Sequence, residues 1–203
     1  VYPGNNFDTH LKPFTEGAFK LAGKTSMASA VMPYYTISYN QAKDGTNLAN
    51  GFSKYIITDL LREKYGYDGV VCTDWLITGD EPGSPGDFAG KPWGVEDKTI
   101  AERHYIALMA GMDQFGGNNE MGPVIEAYNM GVKQYGKKYM RNRFEQSAVR
   151  LLKNIFRLGL FENPYLDPKE SAKIVGNPEF MQEGYNAQLK SVVMLKNRII
   201  FYQ

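Results

Sequence analysis

With 203 residues, 43% hydrophobic and 22% charged, the chain has enough apolar material for a packed core and too little length for two large domains. Twenty-three Lys and Arg against 22 Asp and Glu leave a net charge of +1, a balance that argues against nucleic acid or an anionic membrane surface as the main partner, since both need a clustered positive field. The single cysteine, Cys72, excludes an internal disulfide framework and a multi-cysteine metal site, and no apolar run approaches the roughly 18–20 residues of a spanning helix. The opening Val1-Tyr2-Pro3-Gly4 has no initiator Met and no signal pattern, so any targeting information is hidden from view.

In chain order, Leu11, Phe14, Ala18, Phe19 and Ala22 fall at helical spacing, which predicts a helix over 10–22 with Asp8 as its N-cap and Gly23 as its stop. Ser29-Ala30-Val31-Met32 reads as a buried strand ending at Pro33, and the polar stretch 41–50 reads as a loop. Ser53 caps a periodic helix with Ile56, Ile57, Leu60 and Leu61 inward and Gly66 at its end. Asp68-Gly69 turns the chain into Val70-Val71-Cys72-Thr73, a continuous apolar run of the kind found in strands covered on both faces. A long loop over 75–96 follows, with three prolines and five glycines, and loops of that length are commonly functional. Asp97 is the expected cap of a helix over 100–110, which leads through Gly111 to a strand-like run, Met112-Asp113-Gln114-Phe115. Helices are predicted over 123–134 and 141–158, an irregular linker from Asn163-Pro164, and a last helix over 178–189 that leads into Ser191–Leu195 and then Arg198–Tyr202. Strands alternating with helices at these lengths imply a parallel α/β architecture, either doubly wound or a (β/α) barrel.

In such folds ligands meet the C-terminal ends of strands. Asp74 stands at one, after Val-Val-Cys-Thr and before a tryptophan and the long loop. A carboxylate there can cap the loop or pair with a lysine; it can equally act as nucleophile, general base or metal ligand. Trp75 offers either a loop anchor or a flat face for a sugar. Tyr35, at the first strand end, either packs under a loop or donates a hydrogen bond to a reacting centre. Asp113 fits a structural salt bridge better than catalysis, and His104, mid-helix, is expected at the surface. The acidic residues Asp80, Glu81, Asp87, Glu96 and Asp97 lack metal-loop spacing, and Phe115-Gly116-Gly117-Asn118 lacks the residues of a phosphate loop.

Taken in this order, these strand-end residues resemble glycoside hydrolase family 3. The segment from Leu60-Leu61-Arg62 through Gly66-Tyr67-Asp68-Gly69-Val70-Val71-Cys72-Thr73-Asp74-Trp75 is similar to the family's "LLR…GFxGVVx(S/T)DW", whose final Asp is the nucleophile. Val31-Met32-Pro33-Tyr34-Tyr35 resembles the preceding "VMxSY" strand, and Ala110-Gly111-Met112-Asp113 the following "AGxD". Gly159-Leu160-Phe161-Glu162 and Ser191-Val192-Val193-Met194-Leu195-Lys196-Asn197 resemble the end of the barrel's last helix and the start of the second domain.

The resemblance implies a partial TIM-type (β/α) barrel over 1–162, with a linker, a helix and the start of a second domain over 163–203. It implies retaining hydrolysis of terminal non-reducing β-D-glycosidic bonds, with Asp74 as nucleophile, Tyr35, Trp75 and Met32 binding substrate, and neither metal nor organic cofactor. The partner is then a β-linked oligosaccharide or glycoside, and the location periplasmic or extracellular. The family's Lys-His pair and the early Arg and Asp that bind sugar hydroxyls have no equivalent here, and its acid/base glutamate lies in the second domain. A (β/α)₈ barrel takes about 250 residues, so this chain reads as a truncated closing part, with little turnover expected of it alone. Its alternative role is that of an inactive remnant acting as an oligomerising or sugar-binding module. Open strand edges predict a homo-oligomer, a dimer, or a complementing chain.

Overall fold

A computed structural model describes residues 2–80 and 90–196. They fall into two compact units, Val1–Leu158 and Gly159–Gln203. The expected Arg198–Tyr202 run and Asn197 lie outside the described residues, as do Glu81 and Asp87 of the long loop.

In the first unit, helix α1 (Phe7–Lys12) starts earlier than its apolar spacing predicts. Asn6 takes the N-cap position, and Asp8 falls inside the first turn. The early start is anchored by Phe7, whose ring meets Tyr2 edge-on at 4.8 Å. Pro13 has no N–H to give to the helical ladder. From there to Ala18 the chain winds in wider turns, closed by Phe19 N–H donating to Phe14 O at 2.8 Å. Strand β1 (Ala30–Val31) pairs in parallel with β2 (Val70–Val71), with Ala30 opposite Val70 and Val31 opposite Val71. Between them runs α2 (Tyr55–Lys64), also widely wound, with Ser53 Oγ accepting from Ile56 N–H at 3.3 Å.

The third expected strand is reduced to one parallel bridge, Cys72 to Gln114. It is held by Thr73 N–H donating to Gln114 O at 2.9 Å and Asp113 N–H donating to Val71 O at 2.8 Å. Helix α3 (Ile100–Ala110) has the predicted bounds but a different cap. Thr99 Oγ accepts from Glu102 N–H at 3.3 Å, while Glu102 Oε2 accepts from Thr99 N–H at 2.7 Å. This reciprocal box satisfies two otherwise unpaired N–H groups, whereas Asp97 pairs with Lys98 at 2.7 Å. Helices α4 (Met121–Tyr135) and α5 (Lys137–Arg157) complete the unit. Ala49, Phe52, Ile57, Val71, Ile77 and Met112 form the centre of its core, each 1% exposed or less.

In the second unit, the stretch expected as an irregular linker contains a further helix, α6 (Pro168–Ile174). Asp167 Oδ1 accepts from Lys169 N–H at 2.8 Å, and Pro168 presets the first helical φ. Helix α7 (Pro178–Ser191) is capped in the same way by Asn177. Neither helix has a buried residue, and Val192–Leu195 is exposed without strand pairing among the described residues.

His104, expected at the surface, is 1% exposed. Its Nδ1 donates to Ile100 O at 2.8 Å, so Nε2 is left to accept from the Thr78 hydroxyl at 3.4 Å. Burial lowers its pKa, with only partial opposition from the bond to Ile100 O. The periodicity of α3 puts position 104 on the core face, and a neutral imidazole with both nitrogens engaged is tolerated there.

The Asp113 carboxylate has no exposed surface. Oδ2 accepts from Arg62 Nη2 at 2.6 Å and from Val71 N–H at 3.0 Å; Oδ1 accepts from Ser147 Oγ at 2.7 Å and Arg150 Nη1 at 3.0 Å. Arg62 also donates to Tyr67 O and Gly69 O, and Arg143 to Leu108 O and Met112 O. The structural salt-bridge role favoured for Asp113 is the one observed.

Two predictions follow from these buried ionisable groups. Asp113→Ala leaves charged arginines without their counter-charge and is expected to lower the unfolding free energy by about 3–5 kcal/mol; urea titration reads this, and a loss below about 1 kcal/mol would contradict it. The depressed pKa of His104 means that the unfolded chain binds a proton which the folded one does not. Its contribution to stability is therefore intact above about pH 6.5 and is lost as pH falls toward the folded-state value. In urea titrations at several pH values, His104→Gln is expected to lose less stability on mild acidification than the unsubstituted chain.

Candidate active site

Asp74 directly follows the second parallel strand and is half-buried. Its Oδ1 accepts from the N–H of Trp75 at 2.6 Å, which folds the carboxylate against the start of the next turn. Thr73 is buried and serves the frame: its Oγ1 accepts from Gly116 N–H at 2.7 Å. Leu76 N–H donates to Gly116 O at 2.9 Å. The turn after Asp74 is thus stitched to the segment that follows the neighbouring strand bridge.

Tyr35 arrives from the loop after β1. It is 8% exposed, and its hydroxyl donates to Trp75 O at 2.6 Å. Burial first, and the neighbouring Asp74 carboxylate second, push its pKa up to about 12. The phenol therefore stays protonated at any physiological pH and remains a donor beside Asp74. Burial, with Asp74 as a secondary cause, also raises the pKa of Cys72, which keeps that thiol protonated and a weak nucleophile. Among the described residues, no Lys or Arg forms an ion pair with Asp74.

Trp75 is 55% exposed. One side of its indole lies on the backbone of Gly117, where an added Cβ would fall 2.7 Å from the ring. Gly117 also has φ of +72°, so both the space and the backbone conformation require glycine there. The free side of the ring is a flat apolar surface next to a carboxylate.

The structure brings Asp74, Trp75 and Tyr35 together. Met32, 58% exposed, instead lines an apolar cavity with Phe7, Phe14, Tyr34, Ile56 and Leu60, between β1 and the helices flanking it in sequence. Sequence reasoning missed Thr73, Gly116 and Gly117 as the frame of the turn. The local signals for them are Thr73 at the end of the apolar run and the Gly116-Gly117 pair after Phe115. Two other carboxylates near strand ends are already committed: Asp113 to its arginines and Asp80 to Arg103 at 2.7 Å.

No protein-family profile matches the chain. It is 38% identical over 205 residues, 95% of its length, to a periplasmic β-glucosidase/β-xylosidase of Dickeya chrysanthemi. It is 38% identical over 201 residues, 97% of its length, to β-glucosidase C of Emericella nidulans. The chain spans about 30% of the length of each. Among solved structures it is similar to a β-glucosidase involved in saponin metabolism from intestinal bacteria, with a TM-score of 0.62 and 24% identity over 94% of this chain and 22% of that one. It is also similar to a β-glucosidase from Erythrobacter marinus, with a TM-score of 0.60 and 24% identity over the same shares of the two chains. Both likenesses concern the mixed helix-and-sheet fold.

Proposed function

We propose, from the premise that this chain belongs to glycoside hydrolase family 3 and spans part of its relatives' length, that it carries the nucleophile half of a retaining β-glycosidase site. Asp74 is the nucleophile. It attacks the anomeric carbon, the aglycone leaves with a proton from a general acid, and water then releases the sugar from the aspartyl ester. The observation that carries this reading is the Asp74 carboxylate at a parallel strand end, unpaired with any described cation, beside a protonated Tyr35 hydroxyl and an exposed Trp75 ring.

Each neighbour has a defined role. The Tyr35 hydroxyl donates to Trp75 O, which holds the turn beside the carboxylate that Asp74 regains when the ester is cleaved. Trp75 gives a sugar an apolar face to stack on, whereas Met32, in its separate apolar cavity, is left out of the site. A retaining mechanism also needs a second carboxyl group roughly 5–5.5 Å from the nucleophile. Asp113 and Asp80 are engaged by arginines, and by the family resemblance the acid is assigned to the second domain.

The same reading covers architecture and setting. Two parallel strands and the Cys72–Gln114 bridge stand as neighbours in chain order, the succession in which a (β/α) barrel adds strands. We read residues 1–162 as the barrel part and 163–203 as the approach to a second domain. The substrate is a terminal β-D-glucoside or a related β-linked glycoside. The location is periplasmic or extracellular, in line with the name of the Dickeya relative; among the described residues no helix is long and apolar enough to cross a membrane. Self-association is part of the reading, because apolar side chains of α7 such as Phe180, Met181 and Leu189 stand exposed in their unit.

The test is incubation of the chain with an activated 2-deoxy-2-fluoro-β-glucoside, followed by peptide mass spectrometry. The expected result is one fluoroglycosyl adduct on Asp74, abolished by Asp74→Asn. No adduct, or an adduct on another residue, sinks the assignment.

A further inference from the structure

Arg103 on α3 is a cation with only 3% of its surface exposed, and its hydrogen bonds go to the chain segments on either side of the long loop. Its guanidinium donates in four directions: Nε to Val95 O at 3.1 Å, Nη2 to Glu96 O at 2.8 Å, and Nη1 to Thr78 O at 3.2 Å and to Asp80 Oδ1 at 2.7 Å. Thr78 and Asp80 lie on the chain leaving Asp74, while Val95 and Glu96 lie on the chain returning toward α3. One planar fork therefore closes the base of the excursion that begins at Asp74. The backbones of Gly79 and Gly90 also touch across that base, where any Cβ on Gly90 would strike the Gly79 carbonyl.

Between this closure and Asp74 lies a residue in a costly conformation. Leu76 has φ of +53°, a left-handed value that a branched aliphatic side chain rarely adopts. Such a residue persists only where its surroundings over-determine it. On its N-terminal side the turn is tied by the bond from Tyr35 to Trp75 O and by the bond from Leu76 N–H to Gly116 O. On its C-terminal side Gly79 N–H donates to Leu76 O at 2.9 Å, and the next anchor is the Arg103 guanidinium at Thr78 and Asp80.

We propose that Arg103 is the positioning residue of the Asp74 turn: by joining Thr78–Asp80 to Val95–Glu96 it holds Leu76 in its left-handed conformation and so fixes the directions of the Asp74 carboxylate and the Trp75 ring. It touches no reacting atom. The fork is what matters, because a guanidinium presents several donors in one rigid plane and an ammonium does not. The clamp stands independently of the catalytic reading; only its consequence for reactivity rests on Asp74 being the nucleophile.

Amide hydrogen exchange on the full chain tests the clamp, comparing Arg103→Lys and Asp80→Ala with the unsubstituted protein. Arg103→Lys is expected to cut protection at the Leu76 and Gly79 amides by about tenfold or more, the signature of local opening. Protection at Val70 and Cys72, whose amides donate within the β1–β2 pair, stays within about twofold. Asp80→Ala removes one exposed partner and is expected to produce a smaller loss at the same two amides. Unchanged protection in Arg103→Lys, or equal loss at all four amides in either variant, overturns the clamp. A second arm measures fluoroglycosyl labelling of Asp74: Arg103→Lys is expected to slow it by about ten- to a hundredfold, as a misplaced reacting group does, at an unchanged half-saturating concentration. Equal labelling rates overturn the positioning role. If the unsubstituted chain takes no label, the nucleophile assignment fails, and exchange alone decides the clamp.

Discussion

A fully buried aspartate held by arginines from two helices sets the terms for the first unit. The two paired strands are two residues long, so backbone ladders supply few bonds and weak control of register. Asp113 makes up the difference. One of its oxygens accepts the Val71 amide while also pairing with Arg62, and the other meets Ser147 and Arg150 from α5. Arg62 also donates to the carbonyls of Tyr67 and Gly69, just before β2, and Arg143 donates to that of Met112. A one-residue slip of β2 would break the Val71 contact and turn alternate side chains to the wrong face. Register is thus enforced by a desolvated charge cluster, where misalignment costs far more than a missing ladder bond.

That dependence explains which parts of the molecule were legible in the sequence. Helix α3 could be read to its exact ends because its apolar period and Gly111 are local signals. The Val70–Val71 run and the acidic strand end after it were legible for the same reason. The Asp113–Arg62 pair spans 51 positions, and no local pattern encodes a partner so distant. Arg103 and His104 were hidden differently. Both are polar types that ordinarily face solvent, and their burial follows from partners at Thr78 and Val95 that only the fold brings near. Asp97 is the expected cap of α3, but Thr99 directly precedes Ile100, and Thr99-x-x-Glu102 carries the reciprocal signature.

The candidate site follows a rule different from that of the core beneath it. Its shape comes from backbone groups and small residues: Gly116 N–H on Thr73, Gly116 O on Leu76, and Gly117 under the Trp75 ring. Hydrogen bonds of this kind fix direction closely while leaving side-chain surfaces free, which suits a place where a ligand must approach. It also explains how an unfavourable left-handed Leu76 is retained. The surrounding bonds hold it from both sides, and the strain is carried by a buried frame.

The charges are divided consistently with that arrangement. Asp113 and Asp80 stand close in the chain to strand ends, and each is engaged by an arginine with little exposed surface. Asp113 is thereby fully enclosed, while Asp80 keeps most of its side chain at the surface. Among the described residues, Asp74 differs in accepting from a backbone amide and in forming no ion pair. On its proposed role, no ion pair would have to be broken when its oxygen bonds to carbon. The arginines therefore sit at one remove, at the strand below and the turn beyond, and the Asp74 carboxylate is left with no guanidinium to displace, which is what its proposed role requires.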